Sequence, residues 1–301
     1  MTYTWITDPH IDHLEIDGFA ILVDKIKADR SKGVILTGDI SCAATCILLL
    51  KRLHREIKIP IYFVLGNHDF HGSWIDTVRK AASMLKEQNS DLRYLTTLTS
   101  PIELAPGVGL IGHDGWYDAG YGDFENSNVQ MEDQKHINDF STLTKTSLRT
   151  KLNELGAEAA EHLKEQLELA LCSYDQVILA MHMPPFREAC LYEGEVANDF
   201  NLPFYCCKAV GDVILEIMSK SPEKQLLVLC GHTHHKAECQ PLPNVKVRVG
   251  TVRYGRPMVQ NIINISDCID TSVIQQPGIM PSEKVPTNLR LVGLFLFRKY
   301  F

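Results

Sequence analysis

Aspartate, asparagine and histidine recur in this chain in five short clusters: Asp8-Pro9-His10, Gly38-Asp39, Gly66-Asn67-His68-Asp69, His182, and Gly231-His232-Thr233-His234. Carboxylate, amide and imidazole donors together suit borderline divalent metals such as Mn, Fe, Zn, Co or Ni. None of the five clusters contains cysteine, which argues against a purely structural zinc site. These are more donors than one ion with open positions can use. Asp39 is the lone donor of its cluster, as a carboxylate shared between two ions would be. Two ions about 3.5–4 Å apart can hold a hydroxide between them and clamp a phosphoryl group.

Such donors need a frame, and the sequence supplies one. Apolar runs lead into most of the clusters: Val34–Thr37, Ile61–Leu65, Val177–Met181 and Leu226–Cys230, with the strand-like Tyr3–Thr7 before Asp8. Continuous runs of this kind suit strands buried on both faces. Leu110-Ile111 and Val245–Val249 read as further strands. Helical spacing marks Phe19–Ala28, Thr45–His54, Trp74–Glu87 with Ser73 as its N-cap, Leu148–Leu171 broken or marked by Gly156, and Val210–Met218. The alternation predicts an α/β architecture. Ligands of α/β sheets bind at the carboxyl ends of strands, so the five clusters converge on one rim if their strands share a sheet.

Asp8-x-His10, Gly38-Asp39, Gly66-Asn67-His68-Asp69, His182 and Gly231-His232-x-His234 resemble, in order, the five motifs of the calcineurin-like metallophosphoesterases. The resemblance implies an α/β fold of two mixed β-sheets packed as a sandwich flanked by helices. It implies one metal held by Asp8, His10 and His234, and a second held by Asn67, His182 and His232. Asp39 would bridge them, and His68 would face the phosphate or the leaving group as the catalytic residue. The cofactor expected is a pair of divalent ions, manganese first, and the activity is hydrolysis of a phosphomonoester or phosphodiester by metal-activated hydroxide. One branch of the family departs from this chain. Where protein Ser/Thr phosphatases continue with Asp-Arg-Gly, Asp39 is followed by Ile40, Ser41, Cys42, Ala43 and Ala44. Cys42 replaces the aspartate that would pair with the motif histidine, and the phosphate-gripping arginine is missing. This weighs against a phosphoprotein phosphatase. Intact Asn67, His68 and His182 weigh against a catalytically inactive metal-binding scaffold.

Composition narrows the partners. The net charge is -7, and lysines and arginines form no runs. A nuclease of the same fold needs a basic track for its strand, so a phosphorylated small molecule is the expected substrate. No apolar stretch reaches transmembrane length, and no signal peptide is read before the first strand. The nine cysteines are scattered and read as reduced thiols. The expected location is therefore cytoplasmic.

The organisation expected is a single domain over 1–268, with insertions near 116–146 and 186–208, then a linker and tail over 269–301. Long irregular segments in compact domains are often binding loops or lids, so the insertions are where specificity is expected. Other polar residues lie outside the five clusters. The acidic group Asp118, Asp123, Glu125, Glu132 and Asp133 reads as a lid or a solvated loop. His113-Asp114 reads as a pocket border or a plain turn, and Arg187 and Arg253 as candidate phosphate contacts. His235 reads as structural or solvent-facing, and His13 and His71 as surface residues.

Overall fold

The computed structural model describes residues 1–265. The tail expected from residue 269 lies outside the described residues. In chain order the strands are β1 (Thr2–Ile6), β2 (Val34–Thr37), β3 (Ile61–Val64), β4 (Leu92–Tyr94), β5 (Ile102–Ala105), β6 (Val108–His113), β7 (Gln176–Met181), β8 (Leu191–Tyr192), β9 (Glu195–Val196), β10 (Gln225–Cys230), β11 (Ala237–Leu242), β12 (Val245–Val249) and β13 (Asn261–Asn264). The helices are α1 (Gly18–Ala28), α2 (Cys46–Ile57), α3 (Ile75–Ser83), α4 (Leu85–Gln88), α5 (Asp133–His136), α6 (Lys145–Ser173) and α7 (Lys208–Met218).

Two large mixed sheets form. The first runs β13-β1-β2-β3-β4 and the second β11-β12-β10-β7-β6-β5, with β8 and β9 as a separate hairpin. In each, a parallel centre is closed by antiparallel edge strands, β13 in the first and β5 and β11 in the second. Side chains on a strand alternate between faces. Tyr3, Trp5, Ile35, Val64, Leu110, Ile178, Ala180 and Leu229 form one buried cluster, drawn from both sheets. Their neighbours Ile6, Leu36, Phe63, Leu179 and Val228 belong to the other cluster, with residues of the helices. The five polar clusters therefore do not follow strands of one sheet. β1, β2 and β3 lie in the first sheet and β7 and β10 in the second, so the clusters meet where the carboxyl ends of both sheets come together.

Register keeps those ends level. Thr37 lies opposite Val64, Ile6 opposite Leu36, and Ala180 opposite Leu229. The residues just beyond each pair carry the chemistry.

The helices depart from expectation in two places. The stretch expected as one helix over 74–87 divides at Met84 into α3 and α4. The first amide of α3, Ile75 N, donates to Asp139 Oδ2 at 2.9 Å, so the insertion caps this helix and Ser73 does not. Gly156 does not break α6, which runs unbroken with Thr144 as N-cap, accepting from Ser147 N at 3.3 Å. Instead Gly156 makes room, because a Cβ there would collide with the Asp118 side chain. The insertion carrying Asp118 is well packed, with Trp116, Tyr117, Phe124, Ile137 and Phe140 buried. Among the described residues, no helix is long and apolar enough to cross a membrane.

Candidate metal centre

The strand-end loops hold an unusual backbone. Asp8 (φ 47°), His10 (φ 36°), Asp39 (φ 54°), His232 (φ 71°) and His234 (φ 59°) are all left-handed. Non-glycine residues seldom take this conformation, and such positions cluster at functional sites, held by their surroundings. The surroundings here are specific. Asp8 N donates to Gly38 O and His10 N to Asp39 O, both at 3.0 Å. The buried Asp69 carboxylate accepts from Ile40 N, Ser41 N and Gly66 N at 2.8, 3.0 and 2.8 Å. The buried Asp114 carboxylate accepts from Leu65 N at 2.8 Å and Arg79 Nε at 3.0 Å, and Asp114 O accepts from His182 N at 3.1 Å. At Gly66 no side chain fits, because a Cβ would run into the Asp39 carboxylate and the His182 ring.

One donor set comprises Asp8, His10, Asp39 and His234, whose ligand atoms all lie within 4.8 Å of one another. His10 Nε2 is 3.3 Å from His234 Nε2 and 3.6 Å from Asp39 Oδ2, and His234 Nε2 is 3.3 Å from Asp8 Oδ1. Burial works to raise the pKa of both carboxylates. His234 and His182 beside Asp8, and His182 and His68 beside Asp39, outweigh it and hold both below the usual range. Burial lowers His10 to about 4, leaving a neutral imidazole.

A second set joins Asn67, His182 and His232. His182 Nδ1 lies 2.8 Å from Thr37 O and His232 Nε2 2.9 Å from Phe204 O. A carbonyl only accepts, so each of these nitrogens carries the proton, and the opposite nitrogen presents a lone pair. Asn67 Nδ2 donates to Asp133 Oδ1 at 2.9 Å, which turns Asn67 Oδ1 inward. That oxygen then sits 3.1 Å from His182 Nε2 and 3.0 Å from His232 Nδ1. Asp39 Oδ1 is 3.3 Å from the same His182 nitrogen. Lone pairs that converge without a proton between them call for a positive charge. A proton is one answer: burial opposes charging His182, but Asp39 and Asp8 carry it up to about 10. A divalent ion is the other, and it displaces such a proton when it binds. The donors present therefore fit the metal pair that the motifs imply.

All eight residues singled out in the sequence come together at this place. His68 adds its backbone amide, which donates to Asp39 Oδ1 at 2.9 Å. Its ring lies 4.6 Å from His10 and stacks at 4.5 Å on His71. Burial lowers the His68 pKa despite Asp39.

Several other residues sit differently from expectation. His71 is not a surface residue, and Asp133 belongs to no solvated loop. Asp133 Oδ1 lies 2.7 Å from His71 Nε2, and Tyr117 OH donates to Asp133 Oδ2 at 2.9 Å. With Asn67 this makes three partners for one buried carboxylate. Asp118 accepts from Ala209 N at 2.7 Å and so ties the first insertion to α7. His113 and Asp114 are buried, and His113 lines a separate cleft of about 400 Å³ with Arg79 and Glu158. Arg187 pairs with Asp199 at 3.6 Å, and the backbone of Arg253 forms an isolated antiparallel bridge with that of Arg256. Neither arginine lines the metal centre's cavity, which is about 150 Å³. The rim of that cavity includes Met131, Tyr192, Tyr205, His235 and Tyr254. His71 was within reach of sequence reasoning, since it follows His68 by three residues beside the short 3-10 turn Asn67–Phe70. Nothing in the sequence signals Asp133 or the tyrosines.

Comparison with known proteins agrees with this geometry. The phosphopantetheinyl hydrolase of Mycobacterium tuberculosis superposes with a TM-score of 0.57 at 16% identity, over 84% of this chain and 90% of that one. A dimetal phosphatase from Danio rerio gives a TM-score of 0.51 at 14% identity, over 83% of this chain and 87% of that one. At such identities the likeness is one of fold. No curated protein sequence matches the chain. The family model described as calcineurin-like phosphoesterase matches residues 1–236, a span that holds all five clusters. The chain belongs to the calcineurin-like phosphoesterase family.

Proposed function

We propose that this protein hydrolyses a phosphoester of a small molecule, with Asp8, His10 and His234 holding one divalent ion and Asn67, His182 and His232 a second. The observation that carries the proposal is the Asp39 carboxylate. Its Oδ2 faces His10 at 3.6 Å and its Oδ1 faces His182 at 3.3 Å, one oxygen toward each donor set. A shared carboxylate needs this arrangement. When bound, the ions would supply Lewis acidity and lower the pKa of water enough for attack at neutral pH. The chain itself does the positioning. Thr37 O and Phe204 O fix the two imidazole tautomers, and Asp133 fixes the rotamer of Asn67. His68 stands beside Asp39 and lines the cavity, where its ring N–H can reach a phosphoryl oxygen or the departing alkoxide.

The nitrogen and oxygen donor set favours borderline metals, and manganese is the first to try. The eight described cysteines are all free thiols, which suits a reducing compartment, so we place the protein in the cytoplasm. Turnover of p-nitrophenyl phosphate and bis-p-nitrophenyl phosphate tests the reading. Chelation should abolish activity, manganese should restore it, and elemental analysis should find two ions per chain. Undiminished turnover in metal-free protein would refute it.

A further inference from the structure

We infer that the substrate is a phosphodiester monoanion with flat, apolar ester groups, in preference to a phosphomonoester dianion. The inference rests on the hydrolase reading above. Its first support is charge. Among the described residues, none that lines the cavity is lysine or arginine. The candidate phosphate contact Arg187 is engaged with Asp199. With no lysine or arginine beside it, the fixed charge facing the phosphate would come chiefly from the metal centre, with His68 and His235 as the titratable neighbours. Two divalent ions bring four positive charges, Asp8 and Asp39 remove two, and an attacking hydroxide removes a third. The single charge left matches a diester. A monoester dianion leaves one negative charge unmatched, in a partly buried site where such an imbalance is costly.

The second support is the arrangement of aromatic rings. Tyr205 lies 5.8 Å from His232, beside the second donor set. Tyr254 lies 4.9 Å from His10 and 5.2 Å from His234, beside the first. Tyr192 packs on His235 at 5.1 Å, and Met131 completes the apolar rim. Each side of the centre thus has its own ring surface. A diester carries two organic groups, one lost and one kept, and each can lie against a ring. A monoester uses one side only. The cavity's lack of basic side chains does not suit a polynucleotide strand.

The test compares manganese-loaded protein on bis-p-nitrophenyl phosphate and p-nitrophenyl phosphate. We expect kcat/KM to favour the diester by about tenfold or more. Calorimetry separates this inference from the hydrolase reading. Methyl phenylphosphonate, a monoanion, should bind about tenfold more tightly than phenylphosphonate measured as the dianion at pH 8. Tyr205→Ala and Tyr254→Ala should each raise KM for the diester. Met131→Lys, which adds a cation to the rim, should shift preference toward the monoester. Equal or better use of the monoester, with the dianion bound as tightly as the monoanion, would overturn the inference. If neither ester is turned over, the hydrolase reading fails, and the two phosphonates still decide which anion the site was built to hold.

Discussion

Asp8, Asp39 and His182 stand just past the ends of parallel strands and are almost wholly shut from solvent. Tyr192, Tyr205 and Tyr254 surround the same cavity from a small hairpin, a loop and the segment after β12, and Tyr254 is 40% exposed. The floor is positioned by strand register and by buried carboxylates that hold backbone amides. The rim is positioned by how the two insertions and the segment after β12 pack. A change to the floor must therefore disturb several donor side chains at once, whereas a change to the rim alters one surface. Under the proposed function the contrast separates two tasks, with the reaction assigned to the floor and the selection of substrate to the rim.

The comparison is sharpened most by Asp39→Ala. Removing the carboxylate that faces both donor sets should lower kcat by about 10³-fold, since one metal position contributes several kcal/mol to the transition state. Metal content should fall below two ions per chain in the same preparation. Wild-type turnover in Asp39→Ala with full metal content would show that Asp39 is only a structural partner of His68 N.

Asp133→Ala comes next and tries to break the comparison. Asp133 belongs by sequence to the first insertion, yet it fixes Asn67 and contacts His71 and Tyr117. If it works as part of the floor, its loss should cost about 10–100-fold in metal affinity or turnover, as changes behind metal ligands do. A change confined to substrate preference would place Asp133 with the rim.

The same division explains what could be read from the sequence. Apolar runs ending in Gly38-Asp39, Gly66-Asn67 and Gly231-His232 announce buried strands and the donors beyond them, because strand and ligand are adjacent in the chain. That local coupling made the floor legible, along with the α/β class. The assignment of strands to two sheets was not written in any run, and only the family resemblance suggested it. Asp133 lies 66 residues from Asn67, and no spacing rule links them. Its polar, acidic neighbours look like a solvated segment until Trp116, Ile137 and Phe140 are seen buried beneath it. The tyrosines carry no motif at all, because any flat side chain that packs there would serve.

The smallest effect expected is a pH dependence of stability at the seam between floor and rim, in the Asp133–His71 pair of chelator-treated protein. Burial works to raise the Asp133 pKa, but the hydrogen bond and charge of His71 bring it below its ordinary 3.8. Burial works to lower His71, and Asp133 raises it above its ordinary 6.5. The aspartate's contribution to stability is present above 3.8 and is lost as pH falls through its lower folded value. The histidine's contribution is present below 6.5 and is lost as pH rises through its higher folded value. The pair is thus fully stabilising only between these two ordinary values. Thermal melts of wild type and Asp133→Asn should differ most in that window, by about 1 kcal/mol or more for a buried charged hydrogen bond. The gap should narrow as pH rises above 6.5 and His71 loses its proton. A gap that stays constant from pH 4 to pH 9 would mean that Asp133 holds the first insertion through Asn67 and Tyr117 alone, with His71 neutral beside it.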